Sequence, residues 1–147
     1  MLEQIRKESC KKVTTKDTNG VENGFLVELY KDGPKTTVYL TAAKPGAFKG
    51  YHLHKVRASH YVCIKGKMRI TVYEDSDPTS QDLASARKVE HILDASVPER
   101  LYLPNEVYIG LENIGDEEAW LINHPEPAYD PSLVDEQVDK PRGELEK

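Results

Sequence analysis

The chain has 147 residues, 38% hydrophobic and 31% charged, with two cysteines and a net charge of −5. That length suits one globular domain able to bury roughly 70% of its unfolded surface, and Cys10 and Cys63 are too few and too far apart for a zinc module or a disulfide scaffold. Basic residues are dispersed among acidic ones, no apolar run approaches the ~20 residues of a membrane span, and the charged N-terminus lacks a signal core, so we expect a cytoplasmic protein with no nucleic-acid or membrane partner.

Strand-length runs rich in Val, Ile, Tyr, Leu and Thr follow one another along the chain: Phe25 to Tyr30, Thr36 to Thr41, His60 to Ile64, Lys67 to Tyr73, Leu101 to Leu103, Val107 to Leu111 and Ala119 to Asn123. Met68, Ile70 and Val72 alternate with Arg69, Thr71 and Tyr73, the period of a strand with one buried face. Turn signals separate the runs, among them Asn19-Gly20, Asp32-Gly33-Pro34, Lys44-Pro45-Gly46, Lys65-Gly66 and Asp75-Ser76-Asp77-Pro78. Short strands divided in this way predict an all-β, antiparallel sandwich or barrel. Ser80 to Glu90, polar and without alternation, reads as a helical or irregular excursion. The charged stretch from Tyr129 to Lys147, interrupted by Pro131 and Pro141, reads as an extended arm or a frayed terminus.

The segment with most chemistry runs from Gly46 to His60. His52 and His54, two apart on a strand, share a face with Cα atoms roughly 6–7 Å apart, close enough to act on one ligand or one metal. Histidine titrates near neutrality and suits both acid–base work and metal ligation. Lys44, Lys49, Lys55, Arg57, Lys65 and Lys67 surround the pair with positive charge, which favours a small anion there despite the acidic whole. A purely structural histidine pair remains the alternative from the residues alone.

Gly46, His52-Leu-His54, Gly66 and Pro104 resemble the two motifs of the cupins, small double-sheet jelly rolls. More narrowly, Lys49-Gly-Tyr-His52-Leu-His54-Lys55 is similar to the segment found in cupins that act on nucleotide-linked 4-keto-6-deoxysugars, the dTDP-4-dehydrorhamnose 3,5-epimerases and sugar-nucleotide 3,4-ketoisomerases. The resemblance runs from about Asn23 to Glu136. It implies a jelly-roll domain over 1–130, with an N-terminal strand of the kind exchanged between subunits, a charged extension over 131–147, and a homodimer.

For the site, the resemblance implies His52 as the catalytic base with His54 beside it, Lys49 near the diphosphate, and Glu28, Tyr39, Tyr51 and Asn123 around the substrate. The His-x-His-Lys order is nearer to the ketoisomerases. Asn123 stands where the epimerases carry an acidic tyrosine, and Ser59 where they carry a lysine, which weakens a 3,5-epimerase reading. Ile109 stands where metal-dependent cupins place their second-motif histidine, so no cofactor is expected. Two alternatives stay open: a metal-dependent enzyme using His52, His54 and His60, and a binding cupin of the same fold without chemistry.

Overall fold

Where apolar residues alternate with polar ones a strand buries one face, and among the described residues eleven strands stack into two antiparallel sheets. The computed structural model describes residues 5–32, 35–74, 87–128, 130, 132–133 and 135–146. In chain order the strands are β1 (Lys12–Lys16), β2 (Glu22–Asp32), β3 (Thr36–Ala43), β4 (Phe48–His54), β5 (Ser59–Lys65) and β6 (Lys67–Glu74). They continue with β7 (Arg87–Asp94), β8 (Arg100–Leu103), β9 (Tyr108–Asn113), β10 (Ala119–Asn123) and β11 (Gln137–Asp139), and a single turn of helix, α1 (Arg142–Leu145), closes the described chain. One sheet has the order β1-β2-β3-β10-β5-β8 and the other β11-β4-β9-β6-β7. This is the double-sheet jelly roll that the sequence predicts.

The core lies between the sheets. Met68, Ile70 and Val72 of β6 meet Ile109 and Leu111 of β9, and Leu121 of β10 with Cys63 and Tyr61 of β5 closes it from the other side. Asn113, at the end of β9, ties the far end. Its Nδ2 donates to the carbonyls of Ala43 and Glu117 at 2.9 and 2.7 Å, and its Oδ1 accepts from the Gly115 amide. Among the described residues no helix is long and apolar enough to cross a membrane, and both cysteines are free.

Two segments differ from the expectation. Residues 87–90, placed in an irregular excursion, begin β7, which pairs with β6 along its whole length from Lys67↔Asp94 to Glu74↔Arg87; residues 80–86 lie outside the described residues. In β7 the more buried Val89, His91 and Leu93 alternate with exposed Lys88, Glu90 and Ile92, a pattern that only begins before residue 90 and continues beyond it. The C-terminal stretch is not frayed. Gln137, Val138 and Asp139 pair with His54, Leu53 and His52 of β4, and beyond Pro141 the chain folds back so that Leu145 is buried against Tyr51, Leu53, Tyr73 and Tyr108 on the outer face of the second sheet.

Candidate active site

The register of β4 decides what faces the interior. His52 pairs with Ile109, and Lys49 with Leu111, both core residues, so Lys49 and His52 share the inner face although they are three residues apart. An irregularity between them absorbs the odd residue. Gly50 makes it feasible: with φ at 142°, a Cβ there would stand 2.7 Å from the Ile109 carbonyl oxygen and 2.9 Å from the Gly110 Cα. His54, two residues beyond His52, returns to the same face.

The opposite sheet offers a matching row. Glu28 pairs with Tyr39, Tyr39 with Asn123, and Asn123 with Tyr61. All lie two residues from the core row of Leu26, Thr41 and Leu121 and therefore point inward as well. Lys49, His52, His54, Glu28, Tyr39 and Asn123 thus share one interior. Asn123 is already engaged there, its Oδ1 accepting from the His60 amide at 3.2 Å.

Tyr51 does not join them. It projects to the outer face, is 0% exposed, and packs edge-on against Phe48 and Tyr73 with centroids 5.1 and 5.4 Å away. Alternation from His52 requires this, so Tyr51 is corrected from a substrate contact to an outer-face anchor. His60 is also removed from the site. It sits on the outer face of the other sheet, its ring 5.7 Å from that of His124 and 5.2 Å from Tyr102, with Nδ1 on the His124 carbonyl at 2.9 Å. A trio of His52, His54 and His60 is therefore not formed, and among the described residues no three potential ligands converge on a common point. The turn over 55–58 carries the chain from one sheet to the other, which separates the two histidine positions.

Each inner histidine instead has a carboxylate from the C-terminal segment. His52 Nδ1 lies 2.6 Å from Asp139 Oδ1, with the Gln137 amide 3.3 Å from the same nitrogen and 2.7 Å from the same oxygen. Burial would raise the Asp139 carboxyl, but the Gln137 and His52 hydrogen bonds outweigh it and hold the group below the usual carboxylate range. His54 Nδ1 lies 3.4 Å from Glu136 Oε2, and Arg57 reaches the same carboxylate through Nε and its backbone amide at 3.2 Å. Burial, reinforced by the Arg57 charge, pushes His54 down to about 4 against the opposing pull of Glu136. Its contact with Glu136 at neutral pH is therefore a neutral imidazole on a carboxylate, with the proton on Nδ1 and Nε2 as acceptor.

Lys49 is the third element. Only 9% exposed, it donates to Thr15 Oγ1 at 2.9 Å and Thr41 Oγ1 at 3.0 Å, and no carboxylate pairs with it among the described residues. Burial lowers it to about 8, so it is still mostly charged at pH 7. Asp139, which has no counterpart in the sequence reading, is the residue that reading missed: it belongs to a three-residue strand in a charged stretch with no periodicity.

Two antiparallel sheets closed face to face around inward histidines define a cupin jelly roll. No protein-family model matches the chain. Among curated proteins it is 29% identical over 129 residues to "Probable low-salt glycan biosynthesis epimerase Agl13" of Haloferax volcanii, covering 81% of this chain and 79% of that protein. Among solved structures it resembles the capsular polysaccharide assembling protein CapF from Staphylococcus aureus, with a TM-score of 0.68 and 20% identity over 87% of this chain, which spans 34% of the CapF chain. Oxalate oxidase resembles it with a TM-score of 0.52 and 16% identity over 63% of this chain and 44% of its own. The chain thus shares the double-sheet jelly-roll fold of these solved structures and is similar in sequence to that curated protein.

Proposed function

We propose that this cupin is a sugar-nucleotide isomerase or epimerase that moves a proton beside the carbonyl of a nucleoside-diphosphate-linked 4-keto-6-deoxyhexose, with 3,4-ketoisomerisation ahead of 3,5-epimerisation. The observation that carries the reading is the His52–Asp139 pair. A carboxylate on Nδ1 fixes the proton there and leaves Nε2, which has no protein partner among the described residues, as the free base. In the ketoisomerase sense Nε2 takes the proton from C3, the carbonyl electrons collect as an enediolate, and the same nitrogen returns the proton to C4. The hydroxyl proton passes from O3 to O4, for which neutral His54 is the relay. Lys49 offers its charge to the diphosphate. The 29% identical relative, described as a probable epimerase of glycan biosynthesis, supports the reaction class.

Incubation with dTDP-4-keto-6-deoxyglucose in deuterated water, followed by NMR, tests the reading. Formation of the 3-keto sugar, with deuterium at its C4 or at C3 of recovered substrate, supports ketoisomerisation, and entry at both C3 and C5 of the 4-keto sugar supports epimerisation. Neither a 3-keto product nor exchange at C3 or C5 overturns catalysis on that substrate. A binding cupin without chemistry is the second reading. Asn123 favours it, because an amide engaged with the His60 backbone stands where the epimerases carry an acid.

A further inference from the structure

β11 is three residues long and lies at the edge of its sheet, paired with β4 alone. A strand that short has little hold of its own. Yet it delivers Asp139 to His52, and the residue before it, Glu136, to His54. What fixes its position lies on the opposite face of the sheet. Tyr51 and Lys140 exchange two backbone hydrogen bonds at 2.9 Å, and the chain then turns over the outer face.

There the Tyr51 hydroxyl donates to Glu146 Oε1 at 2.8 Å, and Glu146 Oε2 accepts from Arg142 Nε at 2.7 Å. Arg142 also donates from Nη1 to Glu112 Oε2 at 2.9 Å and lies over the Phe48 ring, 4.2 Å from its centroid. Arg69 binds the other oxygen of Glu112, and the Tyr73 hydroxyl donates to the Leu145 carbonyl at 3.3 Å. A charged chain reaching from β6 and β9 therefore clamps the terminus onto Tyr51, the neighbour of His52 in sequence, with Leu145 buried beneath it.

We propose that Tyr51, Arg142 and Glu146 are positioning residues for the histidine site: the outer clamp holds the terminal strap down, and only with the strap down does His52 have its carboxylate. The proposal rests on the reading of His52 as the base. The strap bridges two faces of one strand. Its inner side carries the acid partners, and its outer side carries the clamp. Glu136 has an anchor of its own in Arg57, which binds its carboxylate through Nε and the backbone amide, whereas Asp139 has none beyond β11, so loss of the clamp acts on the site through Asp139.

Two changes test this: Tyr51→Phe, which removes one oxygen, and a chain ending at Lys140, which keeps β11 and removes the clamp. In protein labelled with 15N-histidine, the ring nitrogens of His52 are expected to report a single Nδ1–H tautomer in the wild type and a mixture in both variants, with circular dichroism unchanged. Proton exchange on the keto sugar is expected to fall about 10–100-fold in the truncated chain, the scale of a misplaced catalytic group. In an Asp139→Asn background neither change is expected to cost anything more, because the route through Asp139 is already cut. A His52 tautomer unmoved in both variants, or a loss that adds in full to that of Asp139→Asn, overturns the proposal. Tyr51→Phe carries the test where truncation disturbs folding. If the wild type exchanges no sugar proton, the reaction reading fails, while the tautomer measurement still decides the role of the strap.

Discussion

His52 and Asp139 are register partners on adjacent strands, and their side chains meet on the inner face with Nδ1 and Oδ1 2.6 Å apart. The arrangement is directional. An acceptor on Nδ1 makes that nitrogen the donor, and the ring is presented with Nε2 basic. His54 has the same orientation from Glu136 but is buried, and its neutral ring is a far weaker base than one of ordinary pKa. In the proposed reaction this difference assigns proton abstraction to His52 and the hydroxyl relay to His54.

Asp139→Asn keeps the size of the group but allows its amide to donate to Nδ1, which selects the wrong tautomer. Where a carboxylate plays this part in other enzymes its loss costs on the order of 10⁴-fold in rate, and a loss of about 10²–10⁴-fold in proton exchange is expected here with little change in thermal midpoint. The exposed position of Asp139, its side chain 64% accessible, keeps the stability effect small. Exchange measured by NMR within threefold of wild type refutes the assignment.

Acid sensitivity follows from His54. Its folded value of about 4 lies below the ordinary 6.5, so the unfolded chain binds the extra proton first and stability falls as the pH drops from about 6.5 toward 4. The contribution fully present above pH 6.5 is on the order of 3 kcal/mol. Urea unfolding of wild type and His54→Gln from pH 4 to 7.5 checks this. The slope of stability against pH is expected to flatten in the variant, and parallel slopes reject the burial argument.

How much of this was legible in the sequence differs from element to element. The alternation of Met68, Ile70 and Val72 against Arg69 and Thr71 states the burial of β6 outright, and His52 with His54 two apart states that they share a face. Tyr51 was misread because its neighbours in sequence carry chemistry, although the same alternation sends it outward to the Phe48 and Tyr73 rings. Glu136 closes the stretch that carries the family resemblance, but Asp139 left no local signal. A three-residue strand is too short to show a period, and what orders it is distant in sequence: Arg57 on one side, and Tyr51 and Glu112 on the other. His60 was separated from His54 by a turn that changes sheets, which spacing does not reveal.

A homodimer is the expected assembly. Phe25, Ala42 and Trp120 form one row across the outer face of the first sheet, and Val27, Leu40, Ile122 and Val62 form the next. An antiparallel sheet that faces water usually carries polar residues there. Six strands spaced about 4.8 Å and roughly 17 Å long present about 490 Å² in projection, somewhat over half of the ~800 Å² per partner of a standard interface, and a second copy offers the same apolar rows. Ile122→Lys is expected to convert a dimer to a monomer in light scattering with circular dichroism unchanged. A wild-type chain that is monomeric at 100-fold the concentration typical of such assays, about millimolar, removes the dimer.

Lys49 supplies the last test, because a buried ammonium with two hydroxyl partners and no carboxylate is a cost to the fold that a ligand can offset. Its folded value of about 8 lies below the ordinary 10.5, so the folded state loses its proton first and stability rises with pH between about 8 and 10.5. Lys49→Met removes the buried charge and keeps the stem, and its thermal midpoint at pH 7 is expected to match or exceed that of the wild type. A nucleoside diphosphate that reaches the ammonium binds only the folded chain and raises the midpoint of the wild type by mass action. The same nucleotide is expected to leave Lys49→Met nearly unshifted. Equal shifts in the two proteins would place the diphosphate elsewhere and leave the lysine as a structural bridge between β4, β1 and β3.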